Sequence, residues 1–401
     1  MGGTGVERRT SLWRLRGMQA LFGVTALGFL SYSLTLASLP VYAVSGGAAA
    51  STAGVVTAVF LGVTIAVQAT IPALTARFGV GPVLIVGLVA MGVPSPFYVL
   101  DDGMASISAL SAVRGAGFAV LTVLGATLSA QVAPPGRRGE SIGLYGLAIA
   151  LTNLVAVPAG VALVLGDSVG WLAWLSASPL LGVPLVPLLV RSVAAQPAAG
   201  AAGANRAGVL AALAPSLVLF AVTLAGGGVV TFLPIERPDG VLVTVALLLF
   251  GATGAVARWR AGTLADRVGL RWLLPLGLAT AAVGMVVIAA GLVAGDAWVL
   301  VGAAVFGAGY GAIQNLTLLS SFVRAGDDGA TAASAMWNAS FDAGTATGAL
   351  ALGVVAAGIG LDWTYVVVAA VLAALLPVAG TAARPSRAVS RRRDRRRAAT
   401  G

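Results

Sequence analysis

Two charged residues lie deep inside apolar stretches of this sequence. Arg114 stands within LSAVRGAGFAVLTVL, and Asp342 stands within WNASFDAGTATGALALGVV. A charge at the centre of a bilayer costs about 2.5–3.5 kcal/mol on insertion scales, so it needs a cavity, a partner or a function. Because the chain contains no histidine, a carboxyl is its natural proton carrier. We expect Asp342 to carry a proton and Arg114 to be its charge partner or to contact an anion. Hydrogen bonding within the helix packing would also account for either charge.

Polar side chains around Asp342 recur at helical spacing. Ser334, Asn338, Asp342 and Thr345 are separated by four, four and three residues, so they share one face of a helix. Three further stripes are Tyr310, Gln314, Thr317 and Ser321; Ser31, Thr35 and Ser38; and Thr57, Thr64 and Gln68. Polar faces on otherwise apolar helices indicate a shared cavity. We expect its walls to include Ser31, Thr35, Tyr145, Asn153, Tyr310, Gln314, Asn338 and Thr345.

The decapeptide GTLADRVGLR, residues 262–271, concentrates three charges and two glycines between two apolar segments. Gly262 and Gly269 are expected to permit a tight turn and a close approach of neighbouring helices. Such a segment is suited to a contact at the membrane surface.

A partner for the decapeptide is GESIG, residues 139–143, at the start of another apolar stretch. Exposed N–H groups at a helix start favour an anion by roughly 0.3–1 kcal/mol, so Asp266 can bind there. Arg267 and Arg271 can reach Glu140 in the same segment. These contacts would form a latch that breaks when the protein changes conformation. A loop that is merely anchored by its arginines is the simpler alternative.

The composition identifies the elements that must position these residues. The chain is 58% hydrophobic and 9% charged, and its mean hydropathy is +0.97. Apolar stretches of about 20 residues are long enough to cross a hydrocarbon core of about 30 Å. We place twelve spans near 17–44, 51–74, 80–100, 104–131, 140–165, 171–190, 208–234, 241–258, 272–294, 297–323, 331–358 and 363–383.

Missing residue types exclude several classes of function. Cysteine and histidine are absent, so disulfides, thiolate or imidazole metal sites and Ser-His or Cys-His nucleophiles are excluded. Lysine is also absent, which excludes a phosphate-binding loop of the G-x-x-x-x-G-K-[ST] type. We therefore expect neither an enzyme nor a cofactor.

The charges in the connections predict the orientation. Arginines precede the first span and follow spans two, four, six, eight, ten and twelve, whereas the other connections hold Asp101, Asp102, Asp167, Glu236, Asp239, Asp296 and Asp362 with one arginine, Arg237. Arginine excess marks the cytoplasmic side, so both termini are expected there in a multi-pass protein of the cell membrane. The net charge of +10 thus reflects orientation, and RRRDRRR (391–397) is expected to be a solvated tail rather than a nucleic-acid site.

The two halves of the chain repeat one plan. RGAGF (114–118) corresponds to FGAGY (306–310), and ARFGVG (76–81) corresponds to DRVGLR (266–271). We expect an N-terminal segment 1–16, a six-helix bundle 17–190, a cytoplasmic linker 191–207, a second bundle 208–383 and an arginine-rich tail 384–401. Because each unit has an even number of spans, the copies are parallel and related by a pseudo-twofold axis along the membrane normal.

These features resemble the major facilitator superfamily over residues 17–383. The decapeptide matches that family's signature at Gly262, Leu264, Ala265, Asp266, Arg267, Gly269 and Arg271. The first-half copy, PALTARFGVG, departs from it at Pro72, Ala76 and Gly81. RGAGFA (114–119), RRGESIGLYGLA (137–148) and VPAG (157–160) resemble the drug:proton antiporter branch and its sugar-efflux relatives, although VPAG is a reduced form of that branch's motif.

The resemblance implies an all-α membrane protein with twelve transmembrane helices that transports by alternating access. We expect a monomer that exports a small organic molecule, drug-like or sugar-like, in exchange for protons, surrounded by membrane lipids. Proton symport or uniport of a sugar or organic anion is the alternative mode. A non-transporting receptor or accessory protein on the same scaffold is the alternative from another class.

Overall fold

Within a hydrocarbon layer no water satisfies backbone N–H and C=O groups, so an apolar chain that crosses it must form helices or a closed barrel. The computed structural model describes residues 12–132, 138–193, 206–325 and 330–384, and every regular element in these ranges is a helix. Eleven helical segments there are long and apolar enough to cross a membrane, and a pair bent by 40° makes a twelfth. The chain is an all-α membrane protein.

The spans of the first half contain several breaks. Short 3₁₀ turns at Leu12–Arg14 and Ala50–Thr52 precede spans 1 and 2. Span 1 consists of Arg16–Leu36 and Ser38–Ser45, span 2 of Val55–Gln68 and Ile71–Phe78, and span 3 of Val80–Gly92 and the 3₁₀ turn Ser95–Val99. Span 4 is Met104–Val132 and span 5 is Arg138–Leu165. Span 6 is divided into Val169–Leu175, Pro179–Gly182, Val183–Leu185 and Val186–Arg191, with a proline near the start of each of the last three pieces.

The spans of the second half are longer and mostly continuous. Spans 7 to 11 are Arg206–Glu236, Gly240–Val268, Leu270–Ala294, Asp296–Ala325 and Ala330–Ile359. Span 12 is the bent pair Leu361–Ala374 and Leu376–Ala382. Span 8 is predicted to end near residue 258 and its apolar part ends at Gly262, but the helix itself continues to Val268. The decapeptide is therefore mainly helical rather than a loop.

The turn between spans 8 and 9 is confined to Gly269. Its φ of 89° lies in the region that glycine adopts without a steric penalty. Gly79, which lies 190 residues earlier, joins spans 2 and 3 with a φ of 83°. The repeat that was read from the sequence thus recurs in the backbone.

The close packing of helices at glycines also repeats between the two halves, with a spacing of 190 to 192 residues. A Cβ placed on Gly115 would lie 2.3 Å from the carbonyl oxygen of Phe60, and one placed on Gly307 would lie 2.3 Å from that of Phe250. The same pairs of helices pack in both halves: spans 4–2, 4–3 and 1–5 correspond to spans 10–8, 10–9 and 7–11. Each half has its own apolar core. The architecture is two six-helix bundles related by a pseudo-twofold axis along the membrane normal.

Successive spans run in opposite directions, which gathers the connections at two ends. The acidic connections share one end, here called the acidic end, where Arg237 Nη1 lies 3.9 Å from Asp296 Oδ1. At the opposite, arginine-rich end, Arg324 donates to the carbonyl oxygens of Thr381 and Arg384. The two groups of charges lie at opposite ends of the bundles.

The two bundles contact each other through spans 2 and 11 and through spans 5 and 8. Span 2 meets span 11 near the acidic end, where a Cβ on Gly54 would overlap the carbonyl oxygen of Ala349. Span 5 meets span 8 near the same end, where Leu165 is the neighbour of Gly240. A shared apolar cluster including Val161, Val230 and Val243 supports this contact. The two bundles are therefore in contact at the acidic end, and this contact closes the gap between them at that end.

Candidate site between the two bundles

Asp342 lies where span 11 of the second bundle contacts span 2 of the first. It is twelve residues into the span 11 helix, or about 18 Å from the helix start. Its Oδ2 accepts a hydrogen bond of 3.2 Å from Nε2 of Gln68 in span 2. The same Nε2 donates to Thr122 Oγ1 in span 4 over 3.4 Å. A membrane-embedded carboxyl of one bundle is thus tied to two helices of the other.

Two tyrosines lie near Asp342, one from each bundle. The Asp342 carboxyl lies near the hydroxyl groups of Tyr32 in span 1 and Tyr310 in span 10. The two hydroxyl groups also lie near each other. A carboxyl, an amide and two phenols therefore converge where spans of both bundles meet.

Aromatic rings back this polar centre on the side of the first bundle. Tyr32 stacks on Phe118 with ring centroids 4.3 Å apart, and Phe60 packs against both rings at 5.6 and 5.4 Å. Phe29 closes the cluster against Phe118. Rigid rings of this kind provide an apolar wall with a polar tip at Tyr32.

The second bundle repeats the aromatic wall. Phe250 stacks on Phe306 at 5.5 Å and contacts Tyr310 at 5.0 Å. Phe250 and Tyr310 follow Phe60 and Phe118 by 190 and 192 residues, so they are equivalent positions of the repeat. The gap is therefore flanked by matching aromatic groups, with phenols on both sides.

Arg258 is a charged residue of the site that sequence reasoning missed. The predicted span 8 ends at Arg258, whereas in the structure this residue lies within the helix Gly240–Val268 and is half-buried. Its Nη1 donates to Gln314 Oε1 in span 10 over 2.9 Å. It also interacts electrostatically with Tyr310, one helical turn from Gln314. The predicted cavity residues Tyr310 and Gln314 thus meet an unforeseen positive charge.

Arg114 has a different environment from the expected one. It is fully buried within the first bundle, and its five N–H groups all reach neutral acceptors. Nε donates to Met91 O, Nη1 to Thr35 Oγ1 and Tyr98 OH, and Nη2 to both Ser31 O and Ser31 Oγ, over 2.9–3.2 Å. The structure does not bring Arg114 and Asp342 together. These bonds join spans 1, 3 and 4.

Ser31 and Thr35 lie with Arg114 rather than on the gap between the bundles. Ser31 is fully buried, and its hydroxyl also reaches the carbonyl oxygen of Ser176 in span 6. Ser95 donates to the same carbonyl over 3.0 Å. The space beside Arg114 has a volume of about 10 Å³, which is room for about one water molecule. The stripe on span 1 therefore faces a polar network inside the bundle.

The other predicted cavity residues are distributed over spans 5 and 11. Asn153 Oδ1 accepts a hydrogen bond from Ser33 Oγ, and the ring of Tyr145 lies against Gly125. Thr345 is buried and bonds to Phe341 O of its own helix, whereas Asn338 is exposed. Asn338 shares its helix face with Asp342, and the side chain of Ser334 lies outside the described residues.

The predicted latch is described only in part. Arg267 and Arg271 are exposed at the arginine-rich end, and the Arg271 guanidinium lies 5.3 Å from the ring centre of Trp272. Gly262 is helical and faces Asn315, so it serves helix approach rather than a turn. The side chains of Asp266 and Glu140 lie outside the described residues. The RRRDRRR tail (391–397) also lies outside the described residues.

The chain is similar to known membrane transport proteins in sequence and in fold. A family model described as the Major Facilitator Superfamily matches residues 21–330. Among solved structures, a POT family transporter in complex with 5-aminolevulinic acid superposes with a TM-score of 0.71 at 13% sequence identity. That alignment covers 90% of this chain and 95% of the transporter. At this identity the likeness concerns the fold.

Proposed function

The chain belongs to the Major Facilitator Superfamily, a family of secondary transporters, and from that premise we propose that it exports a small organic molecule in exchange for protons. The molecule is a drug-like or sugar-like compound that binds between the bundles. We further propose that the protein is a monomer of the cell membrane with both termini in the cytoplasm. The arginine-rich end is then the cytoplasmic end, in keeping with the excess of arginine there.

The observation that carries the proton-coupling proposal is the hydrogen bond between Gln68 Nε2 and Asp342 Oδ2. It joins the two bodies that must separate in alternating access. An ionised carboxylate accepts such a bond about twice as strongly as a neutral group does. Protonation of Asp342 would therefore weaken the tie between the bundles, and loss of the proton would restore it.

This tie gives the proton a differential effect on the two conformations. A ligand shifts a conformational equilibrium only by its difference in affinity for the two states. Asp342 would bind its proton more tightly in the state that lacks the Gln68 bond. Binding of a proton would thus favour the state without the Gln68 bond, and loss of the proton would favour the tied state.

The second half of the proposal concerns the substrate. Tyr32 and Tyr310 present hydroxyl groups on both sides of the gap, and aromatic rings stand behind each. Such a wall binds an organic body by apolar contact and orients it by a few hydrogen bonds. Asn338, on the same helix face as Asp342, offers an amide to the same space.

The decapeptide is proposed as a latch for the cytoplasmic side. Asp266 would meet the helix start near Glu140 when that side closes, and Arg267 and Arg271 would pair with Glu140. The exposed position of both arginines in this conformation leaves them available for that contact. Because Ala76 replaces the acidic residue in the first half, the matching latch onto span 11 would be weak or absent.

Two alternatives remain as rival proposals. Proton symport or uniport of a sugar or organic anion would use the same cavity with a different coupling. A non-transporting receptor or accessory protein could keep the scaffold, but it would have no use for a carboxyl that bridges the bundles. The retention of that carboxyl favours transport.

Proteoliposomes with an imposed pH gradient would test the proposal. Currents on a solid-supported membrane would be recorded as sugars, organic anions and organic cations are added one at a time. We expect at least one compound to give a current that reverses when the pH gradient is reversed. A current that is insensitive to the gradient would indicate uniport of a charged compound. Uptake of labelled compound would detect electroneutral transport that gives no current, and the absence of both current and uptake across the panel would favour the non-transporting scaffold.

A further inference from the structure

The two arginines inside the spans use their hydrogen-bonding capacity in opposite ways. Arg114 has a neutral protein partner for each of its five N–H groups. Arg258 has one protein partner, Gln314 Oε1, within the part of the chain that the structure describes. Four N–H groups of Arg258 are therefore available to another molecule. Arg114 is a structural residue by this measure, and Arg258 is not.

The position of Arg258 argues against a mere surface anchor. An arginine near the end of a span commonly extends toward the membrane surface. Arg260, two residues further on, follows that rule: it is exposed, and its guanidinium lies 4.8 Å from the ring centre of Trp259. Arg258 instead turns inward, because its guanidinium bonds to Gln314 and interacts with Tyr310.

The charge balance around Arg258 indicates what it binds. No described acidic side chain lies within 4.0 Å of its guanidinium, although a charge within a membrane span commonly has a charged partner. Tyr310 lies near both Arg258 and Asp342. A guanidinium fork that is oriented by one amide and lacks a carboxylate matches the geometry of an incoming carboxylate.

The neighbours of Arg258 define the rest of such a ligand. Tyr310 is one helical turn deeper than Gln314, and Phe250 packs against Tyr310. A ligand with its anionic group at Arg258 would therefore place its body along an aromatic wall that leads to Asp342. We propose that Arg258, oriented by Gln314, recognises the anionic group of the transported molecule, and that the substrate is a small organic carboxylate.

This inference rests on the proposed transport function and specifies its substrate class. It assigns Asp342 and Arg258 separate tasks, the first for the proton and the second for the substrate. A neutral sugar or an organic cation would leave the Arg258 charge without a partner, so both are expected to bind less well.

Thermal unfolding of the purified full-length protein in detergent would test the inference. The probes are 2-naphthoate with its neutral match 2-naphthamide, and gluconate with gluconamide. A ligand that binds only the folded state raises the unfolding temperature, and at a fixed concentration a tighter ligand raises it further. We expect at least one carboxylate to stabilise the protein, and its amide to bind at least about tenfold more weakly. Equal effects of acid and amide, or no effect of either carboxylate, would overturn the inference.

Three variants locate the effect. Arg258→Gln is expected to lose the carboxylate response by at least about tenfold, and Arg258→Lys to keep part of it as a point charge without the fork. Arg260→Gln is the matched control and should respond like the unmodified protein. A full response in Arg258→Gln, or a loss in Arg260→Gln of the same size, would contradict the assignment. If Arg258→Gln does not fold, Arg258→Lys decides, since an undiminished response in it would count against the fork.

Failure of the inference and failure of the proposed function can be told apart. Gradient-driven currents with neutral compounds that persist in Arg258→Gln would refute the inference and leave transport intact. Stabilisation by the carboxylate that depends on Arg258, with neither a current nor uptake of labelled carboxylate in proteoliposomes, would support the binding site and refute transport.

Discussion

Gln68 Nε2 and Asp342 Oδ2 lie 3.2 Å apart although 274 residues separate them in the chain. One residue belongs to the first bundle and the other to the second, and each is half-buried within a membrane span. The bond is the point at which a protonation event can act on the packing of the two bundles. The predictions below begin from this pair.

Gln68→Leu should shift the protein away from the conformation described here. The variant removes a hydrogen bond to a charged acceptor, which contributes about 1.5–3 kcal/mol, so the ratio of the two conformations should change about tenfold or more. Because the chain has no cysteine, spin labels can be attached uniquely at Phe78→Cys and Val268→Cys, two equivalent positions at the arginine-rich end. Distance distributions between the labels would report the shift.

A matched control for Gln68 is Thr122→Val. It removes the weaker partner of the same amide, at 3.4 Å, without touching Asp342. Its distance distribution should stay near that of the unmodified protein. Equal shifts in both variants would mean that the amide acts through packing and not through the carboxyl.

Arg114→Leu should destabilise the first bundle. It removes all five hydrogen bonds that join Arg114 to spans 1 and 3, and a typical hydrogen bond contributes about 0.5–1.5 kcal/mol. We expect a marked fall in the unfolding temperature or loss of folded protein, with Arg114→Lys intermediate. The exposed Arg271→Gln serves as the control. Undiminished stability with abolished transport would instead assign Arg114 to the transport cycle.

Glycine substitutions should confirm the repeat in the packing. Gly115→Ala and Gly307→Ala would each place a Cβ 2.3 Å from a carbonyl oxygen of the neighbouring span, and overpacking of this kind costs about 1–3 kcal/mol. Gly62→Ala has nothing within 4 Å of the new Cβ and is the control. Thermal unfolding should show similar losses at the first two positions and none at the third. A loss at only one of them would show that the two contacts are not equivalent.

Arg267→Gln should impair the cytoplasmic latch more than Arg77→Gln does. The two arginines are equivalent in the repeat, but only Arg267 follows an aspartate, since Ala76 precedes Arg77. Transport rates in proteoliposomes would compare them, and Asp266→Asn should reproduce the Arg267 defect. Unchanged transport and unchanged label distances in Asp266→Asn would remove the latch from the account.

The sequence predicted the fold in outline because its main determinant is periodic and local. Apolar stretches identified the spans, and the GAG elements identified the duplication that the contacts of Gly115 and Gly307 display in space. The breaks within the spans are harder to predict from the sequence. Span 1 is interrupted after Leu36, and the residue that marks the break is Pro40, which has no N–H to donate to the Leu36 carbonyl four residues earlier.

The site was predicted less well, for two physical reasons. Helical spacing shows that Ser31 and Thr35 share a face, but it does not show whether that face meets the gap or a neighbouring helix, and here it meets Arg114. The sequence does not identify Arg258 as a site residue, because a charged residue normally marks the end of a membrane span. The sequence does contain a signal for the longer helix. Trp259 and the segment LADRV (264–268) continue the helical pattern beyond Arg258.

The central claim is that Asp342 couples proton movement to transport, and Asp342→Asn tests it most directly. In proteoliposomes the variant would be compared with the unmodified protein in two assays that use one compound from the transport panel. We expect transport driven by a pH gradient to be abolished, while exchange of labelled for unlabelled compound without a gradient is retained, because the amide cannot release a proton but keeps the shape of the site. Gradient-driven transport at the unmodified rate in Asp342→Asn would contradict the account.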